Sequence, residues 1–231
     1  MKNVLCTICA REGSKGIKNK NIIKLNNKHL IEYTIDIAKK IKFIDQIVIS
    51  TDSNRIKKIA EKNKINVFFK RPKYLSTDKS SKIPVLKHAL INSEKYFNTQ
   101  FDYILDLDPT SPLRKLSDIN TAFKKFLKSK SDILFSVCEA RKNPYFNMVE
   151  KSNNEINIVK KHSNYNRRQD APDVYEMNAS IYLWKRKYLL STNKLISNNS
   201  EIYVMPKERS IDIDEKFDLE IVKLIMKKNE K

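Results

Sequence analysis

The chain of 231 residues is long enough for one α/β domain with a sizeable core, and its 40% hydrophobic and 32% charged residues exclude a disordered polypeptide. No apolar run approaches the roughly 20 residues that a membrane-spanning helix needs, and the short apolar start lacks the features of a signal peptide. Three cysteines do not make a disulfide framework, so we expect a cytoplasmic protein.

The formal net charge of +19 comes from 46 basic residues against 27 acidic ones. Only nine of the basic residues are Arg, and the lysines are scattered along the whole chain. A nucleic-acid-binding protein concentrates its charge on one face and uses Arg for phosphate contacts. The composition therefore favours a general lysine bias over nucleic-acid binding, while the positive field favours an anionic substrate.

Apolar patterns in the first 140 residues alternate between strands and helices. Nearly continuous apolar runs predict strands at 4–10, 46–50, 67–69, 103–107 and 133–137. Helical spacing and N-cap residues predict helices at 30–41, 54–63, 84–97 and 117–128. This alternation is typical of an α/β fold in which a mostly parallel sheet is covered on both faces.

The alternation stops between residues 139 and 177. That segment is polar, contains Pro144 and Pro172, and carries two basic clusters. We interpret 139–177 as an insertion in a single domain that spans 1–231, either a small subdomain or a dimerisation arm. Apolar patterns return at 179–184 and 202–205, and the last predicted helix runs from about 217 to 228.

The two glycines of the chain, Gly13 and Gly16, both lie in the loop after the first predicted strand. We expect each to mark backbone with a positive φ angle or no room for a Cβ atom. Ligands bind beyond the carboxyl ends of strands in open α/β sheets, and a glycine turn can direct N–H groups at an anion. Arg11, Lys15 and Lys20 add positive charge, so the loop predicts a polyphosphate site. It is neither a Walker A loop nor a G-x-G-x-x-G motif, and a basic surface loop is the alternative.

Six motifs in order make the chain resemble the acylneuraminate cytidylyltransferases, the CMP-sialic acid synthetases. The loop from Ala10 to Gly16, followed by Lys20 and Asn21, resembles the signature loop of that family. The other motifs are Ile49-Ser50-Thr51-Asp52; Lys70-Arg71-Pro72 with Leu75 and Asp78; Pro109-Thr110-Ser111-Pro112-Leu113-Arg114; Arg168-Gln169 with Pro172 and Asn178-Ala179-Ser180-Ile181-Tyr182; and Ser210-Ile211-Asp212-Ile213-Asp214 with Asp218-Leu219. Together they extend over essentially the whole chain.

The resemblance implies a three-layer, Rossmann-like nucleotidyltransferase fold in which CTP and a nine-carbon α-keto acid sugar give a CMP-sugar and pyrophosphate. It also implies Mg²⁺ (or Mn²⁺) and a homodimer that exchanges the arm. The residues that it assigns are Arg11, Gly13, Ser14, Lys15, Gly16, Lys20, Asn21 and Arg71 for CTP, Arg168 and Tyr182 for the sugar, and Asp212 and Asp214 for the metal. Arg11, Lys20 and Asp214 are expected to act in catalysis.

The spacing of Asp212 and Asp214 agrees with a metal site. Residues two apart on an extended segment point to the same side, so both carboxylates can face one cation. Taken alone, Asp-Ile-Asp is more often an acidic pair in a loop or at a helix start, and only the other motifs favour the metal.

Asp106 and Asp108 should lie on one face of the strand at 103–107. Sialic-acid members commonly carry Gln where this chain has Asp108, so Asp108 is expected to bind a different sugar, to bind a second metal ion or to repel substrates that suit Gln. With the segment 140–147, it resembles the bacterial enzymes for legionaminic acid, a 5,7-diamino relative of sialic acid. The competing hypothesis is a nucleotide-sugar glycosyltransferase with Asp106 and Asp108 as its metal motif. The pattern of enzymes for the eight-carbon sugar Kdo fits less well.

Several reactive residue types have structural explanations. Cys6 and Cys9 lie in one strand and face opposite sides, which favours buried cysteines over a zinc or redox pair. Trp184 ends a strand and is expected to pack in the core. The three histidines are too far apart in sequence to suggest a metal cluster: His29, His88 and His162.

Overall fold

A computed structural model describes residues 2–14, 16–160, 165 and 167–229. The strands are β1 (Val4–Cys9), β2 (Lys24–Leu25), β3 (Lys28–His29), β4 (Gln46–Ser50), β5 (Tyr103–Leu107), β6 (Ile133–Glu139), β7 (Val149–Ser152), β8 (Glu155–Ile158), β9 (Tyr175–Lys185) and β10 (Ser200–Val204). The α-helices are α1 (Leu30–Ala38), α2 (Asn54–Lys62), α3 (Lys82–Phe97), α4 (Leu116–Ser129), α5 (Arg186–Ser191) and α6 (Lys216–Asn229). Short 3₁₀ turns cover Lys20–Ile22, Lys73–Leu75, Arg168–Asp170 and Lys207–Arg209.

Six strands form the central sheet in the order β10-β6-β9-β5-β1-β4. β1 runs parallel to β4 and β5, and β10 runs parallel to β6. β9 is antiparallel to both of its neighbours, β5 and β6. The mixed, mostly parallel sheet confirms the predicted α/β class, and it brings the carboxyl ends of β1, β4 and β5 to one edge, where α/β folds bind ligands.

Helices cover both faces of this sheet, which confirms the three-layer arrangement. On one face, α1, α2 and α4 pack over the apolar side chains of β1 and β5, around Ile8 and Phe126. On the other face, α3 and α5 pack around Leu86 and Trp184. α6 covers a smaller apolar cluster beside the glycine loop, which includes Ile213. None of the described helices has the length and apolar character that crossing a membrane requires.

The predicted strand at 67–69 is wrong. β4 is the edge strand on that side of the sheet, and residues 65–70 form no strand. Phe68 instead stacks on Tyr96 of α3, with ring centroids 3.9 Å apart. A short apolar run therefore packs against a helix as irregular chain, which periodicity alone does not distinguish from a strand.

The insertion between β6 and β9 begins and ends within the predicted bounds of 139–177. β6 and β9 pair as far as Glu139 and Tyr175, so the segment that joins them is 140–174. It contains an antiparallel hairpin of β7 and β8. Val149 and Ile156 on this hairpin are 64% and 70% exposed, so the hairpin presents apolar surface to solvent.

Residues other than glycine make the left-handed turns of this chain. Six of the nine non-glycine residues with positive φ among those described are Asn. Asn98 follows α3 with φ 48°, and Lys130 follows α4 with φ 54°, at positions where helices commonly end on Gly.

Candidate active site

A cleft of about 380 Å³ opens at the carboxyl ends of β1 and β5. It is lined by residues from the glycine loop, the chain before α3, the end of β5 and the segment before α6. Six of the eight residues assigned to CTP line it: Arg11, Ser14, Gly16, Lys20, Asn21 and Arg71. Gly13 lies in the same loop but does not line the cleft, and Lys15 lies outside the described residues.

Gly16 lies directly against the backbone of Asp214. A Cβ atom on Gly16 would stand 2.1 Å from the Asp214 carbonyl oxygen, so there is no room for a side chain. Lys20 Nζ binds Asp214 Oδ1 at 2.6 Å in the same place. The expectation of special backbone is thus confirmed for Gly16. It is wrong for Gly13, which has no positive φ and whose Cβ would meet Arg11 Nη1 at an ordinary 3.6 Å.

Arg11 crosses the cleft to a carboxylate on the opposite wall. Its Nη2 lies 2.5 Å from Asp78 Oδ1, and both side chains are partly exposed, by 28% and 41%. Asn21 donates from Nδ2 to the Arg11 carbonyl at 3.1 Å and holds the loop backbone. Exposed ion pairs contribute only about 0–1 kcal/mol, so a polyphosphate can replace Asp78 at Arg11 at little cost.

Arg71 is buried at the end of β4. It donates from Nε to Ser50 Oγ at 3.1 Å and from Nη2 to the Ser50 carbonyl oxygen. Its own N–H donates to the Thr51 carbonyl at 2.9 Å. Because these bonds fix the guanidinium against the sheet, Arg71 contributes a rigid positive charge to the cleft wall.

Asp212 and Asp214 flank the fully buried Ile213 in the segment before α6. Ile213 N–H donates to the Thr110 carbonyl at 2.9 Å, and Asp218 Oδ2 accepts from the N–H groups that follow. Oδ1 of Asp212 is buried and has no hydrogen-bond partner among the described residues. Burial raises the pKa of Asp212 to about 6, and the nearby charge of Asp214 adds to the effect. A buried, unpartnered carboxylate oxygen beside a second carboxylate is chemically suited to a hard divalent cation.

Asp106 and Asp108 share one cation, Lys82, which confirms that they lie on one face. Lys82 Nζ is 2.8 Å from Asp106 Oδ2 and 2.6 Å from Asp108 Oδ2. The same ammonium lies 4.2 Å from the centroid of the Tyr182 ring. Tyr182 is 5% exposed on β9, and burial raises its pKa to about 12.

A second buried cation supports the turn after Asp108. Arg114 donates to the carbonyls of Asp108 at 3.3 Å and of Ser180 at 2.7 Å, and to Thr34 Oγ1 at 3.0 Å. Burial lowers its pKa to about 10. These bonds tie the main chain at the end of β5 to that of β9 beside the cleft.

The sequence matches the model of a family described as cytidylyltransferase over residues 5–225. The chain belongs to this cytidylyltransferase family. It is 45% identical to post-translational flagellin modification protein B of Campylobacter coli, over 98% of this chain and 96% of that protein. It is also 45% identical to the CMP-N,N'-diacetyllegionaminic acid synthase of Campylobacter jejuni, with the same coverage. An N-acylneuraminate cytidylyltransferase of Escherichia coli is 31% identical over 97% of this chain and 52% of that protein.

Solved structures show the same fold at low identity. A CMP:2-keto-3-deoxy-manno-octonic acid synthetase complexed with CTP has a TM-score of 0.72 at 14% identity, covering 99% of this chain and 100% of that one. A 4-diphosphocytidyl-2C-methyl-D-erythritol synthase has a TM-score of 0.69 at 10% identity, covering 98% and 100%. The predicted Rossmann-like nucleotidyltransferase fold is thus confirmed.

In this cytidylyltransferase, Lys82 is the site residue that sequence reasoning missed. It is the first residue of α3, where the helix dipole disfavours a positive charge. No signal in the sequence marked it, because the predicted helix begins at 84 and leaves Lys82 outside it. Since its ammonium already binds Asp106 and Asp108, the structure gives no support to a glycosyltransferase metal motif at this pair.

The roles of Tyr182 and Arg168 at the sugar stay predictions. Tyr182 adjoins Asp108 through Lys82 but is not a lining residue of the cleft. Arg168 begins a 3₁₀ turn in the insertion, and its side chain lies outside the described part of the chain.

The residues with structural explanations behave as expected where the structure describes them. Cys6 packs on one face of the sheet and Cys9 on the other, and both are free thiols. His29 caps α1, and Trp184 is fully buried. His162 lies outside the described residues. Within the described ranges, no group of three or more His, Cys, Asp or Glu side chains could hold a metal ion.

Proposed function

We propose that this cytidylyltransferase transfers CMP from CTP to the anomeric hydroxyl of a nonulosonic acid, with N,N'-diacetyllegionaminic acid as the favoured sugar, and releases pyrophosphate. The observation that carries the proposal is the contact of the basic glycine loop with Asp214 at the head of the cleft. The 45% identity to a relative named CMP-N,N'-diacetyllegionaminic acid synthase supports the choice of sugar.

The cleft supplies the charge and the positioning that nucleotidyl transfer needs. The anomeric hydroxyl gives up its proton to water, its oxygen bonds to the α-phosphorus, and the bond from that phosphorus to the pyrophosphate oxygen breaks. Arg11 and Lys20 neutralise the phosphate oxygens, and each exchanges a carboxylate partner for the substrate. N–H groups of the loop around Ser14 and Gly16 would add donors, and Arg71, which lines the cleft, would contact the cytosine.

Asp212 and Asp214 would hold Mg²⁺ (or Mn²⁺). The buried, unpartnered Oδ1 of Asp212 fits this ion, and two carboxylates leave the remaining ligand positions to phosphate oxygens and water. When bound, the ion withdraws charge from the phosphate oxygens and so favours displacement of pyrophosphate. Lys20 binds Asp214 in the structure and would turn to the phosphate oxygens once Asp214 binds the ion.

The sugar would bind on the β5 side of the cleft. Asp108 presents its carboxylate there, with a side chain that is 16% exposed. Tyr182 supports it through Lys82, and Arg168 would reach the sugar from the insertion.

We also propose a homodimer built through the insertion 140–174, in the cytoplasm. Val149 and Ile156 expose apolar surface that a second copy would cover, which supports the dimer. The cysteines are free thiols, which suit the reducing cytoplasm: Cys6, Cys9 and Cys138. Sedimentation velocity of the wild type and of a Val149→Lys/Ile156→Lys variant tests whether the protein is a homodimer. A wild type that sediments at the monomer mass of 27.2 kDa contradicts it.

The function is tested by pyrophosphate release from CTP across a panel of nonulosonic acids, with no glycosyl acceptor present. We expect turnover to be highest with N,N'-diacetyllegionaminic acid and to fall at least 100-fold in Arg11→Ala and in Asp214→Asn. Lys124→Ala, which removes an exposed charge on α4, is the matched control. Equal or better turnover of N-acetylneuraminic acid rejects the choice of sugar, and the absence of CTP-dependent pyrophosphate release with every acid rejects the reaction.

A further inference from the structure

We infer that Lys82 is a positioning residue that sets sugar specificity, because it binds the carboxylates of Asp106 and Asp108 together and fixes Asp108 as an ionised acceptor of hydrogen bonds from the sugar. The inference rests on the proposed function, since it concerns the second substrate of that same reaction.

Only part of this cluster can contact a ligand. Asp106 is fully buried, and its second oxygen, Oδ1, accepts a hydrogen bond from Thr7 Oγ1 at 2.7 Å. Lys82 and Asp108 are 27% and 16% exposed, and both line the cleft. Asp106 is thus the buried anchor, Lys82 the link, and Asp108 the group that faces a substrate.

The carboxylate of Asp108 is held from two sides and still has accepting capacity. The main-chain N–H of Asp108 donates to the Ser180 carbonyl at 3.3 Å, and the Asp108 carbonyl accepts from Arg114 at 3.3 Å, so the main chain of Asp108 is fixed. Lys82 binds Oδ2 at 2.6 Å. Oδ1 accepts no hydrogen bond from any described residue, so a donor group of the sugar can bind it.

Stability does not account for a lysine at this position. The helix dipole disfavours a cation at the start of α3, and a buried ion pair is often no more stable than apolar residues of the same volume. Burial opposes the charge on Lys82, but the two carboxylates outweigh it and raise its pKa well above the ordinary value. Lys82 is therefore an ammonium at neutral pH, and a function is the better reason for its presence.

The ammonium decides what Asp108 can recognise. Burial raises the pKa of Asp108, and the charge of Lys82 opposes that rise. An ionised carboxylate only accepts hydrogen bonds, whereas a protonated acid or a Gln amide also donates. With Lys82 in place, Asp108 selects a sugar that presents an amide N–H or a hydroxyl at this point, and it rejects one that presents an acceptor. The ammonium also lies between the two carboxylates, so it excludes a second divalent cation there.

The test compares four variants with the wild type: Lys82→Met, Lys82→Arg, Asp108→Asn and the double variant Lys82→Met/Asp108→Asn. Lys95→Met removes an exposed lysine from the same helix and is the control. For each protein, calorimetry gives the Kd of CTP, and pyrophosphate release gives kcat and KM for N,N'-diacetyllegionaminic and N-acetylneuraminic acids.

We expect Lys82→Met to raise KM for the preferred sugar at least tenfold and to reduce the ratio of kcat/KM between the two sugars at least fivefold, with the Kd of CTP changed less than twofold. Lys82→Arg, which keeps the charge, should recover most of the ratio. The double variant should be no worse than the worse single variant, because both changes remove one shared interaction.

Three results would overturn the inference: an unchanged sugar ratio, a loss of CTP affinity as large as the loss for the sugar, or single effects that multiply in the double variant. If Lys82→Met does not fold, the sugar ratios of Lys82→Arg and Asp108→Asn decide the same question. Wild-type protein that binds CTP and uses no nonulosonic acid refutes the proposed function, whereas normal wild-type turnover with unchanged ratios in the variants refutes the role of Lys82 alone.

Discussion

Replacing Gly16 with alanine should disable the enzyme through the backbone of Asp214. The added Cβ would stand 2.1 Å from the Asp214 carbonyl oxygen, so the loop and the segment of Asp214 must separate by about 1 Å to relieve the overlap. A displacement of that size at a reacting centre lowers the rate by about 100-fold. Overpacking at the contact should also reduce the free energy of unfolding by about 1–3 kcal/mol.

The two effects are measured separately. Pyrophosphate release gives kcat/KM, and urea unfolding gives stability. Gly13→Ala is the internal comparison, since its Cβ would meet only Arg11 Nη1 at 3.6 Å, an ordinary contact. We expect its losses to be at least tenfold smaller in kcat/KM. If Gly16→Ala and Gly13→Ala behave alike, the close approach to Asp214 does not organise the site.

Two further substitutions separate catalysis from stability. Lys20→Met should lower kcat/KM by about 10²–10³-fold. It should change the free energy of unfolding by less than about 1 kcal/mol, because its partner Asp214 is 70% exposed. The control is Lys18→Met, which removes an exposed lysine of the same loop, and an equal kinetic loss in that variant would contradict the prediction. Burial acts to raise the pKa of Asp118, but its hydrogen bonds with Arg209 and the backbone outweigh this and lower it. Its charge therefore stabilises the fold above the ordinary Asp pKa of about 3.9, and that contribution is lost as pH falls through the lower, folded-state value. Asp118→Asn should cost about 1–3 kcal/mol at pH 7 and flatten the loss of stability below about pH 4 in urea titrations, and parallel curves for the two proteins would refute it.

The parts of the site that the sequence predicted are those fixed by local chain geometry. The glycine loop follows β1 directly, and Asp212 and Asp214 flank the buried Ile213, while their shared role at a metal ion stays a prediction. In each case the neighbours in sequence determine the position, and the parallel sheet then brings the two segments together. The alternation of strands and helices was equally local, so the fold class followed from it.

The parts that it missed depend on contacts between distant segments. Lys82 is 24 and 26 residues from the aspartates that it binds, and nothing in the sequence near it names them. The hydrogen bonds from Arg71 to Ser50 join segments 21 residues apart, while its assignment to the base stays a prediction. Phe68 belongs to an apolar run that looks like a strand, because a stacked partner 28 residues away cannot be read from periodicity.

Replacing the left-handed residues after α3 and α4 with glycine should make this protein more stable to heat. An L-residue in that conformation costs roughly 1–2 kcal/mol relative to its right-handed form, a penalty that glycine avoids. Part of that gain is offset by the greater freedom of glycine in the unfolded chain. Asn98→Gly and Lys130→Gly together should still raise the melting temperature, because the relief of backbone strain is the larger of the two effects. They should leave activity unchanged, because neither residue lines the cleft. In that case the fold does not require so few glycines, and their scarcity reflects the composition of the chain.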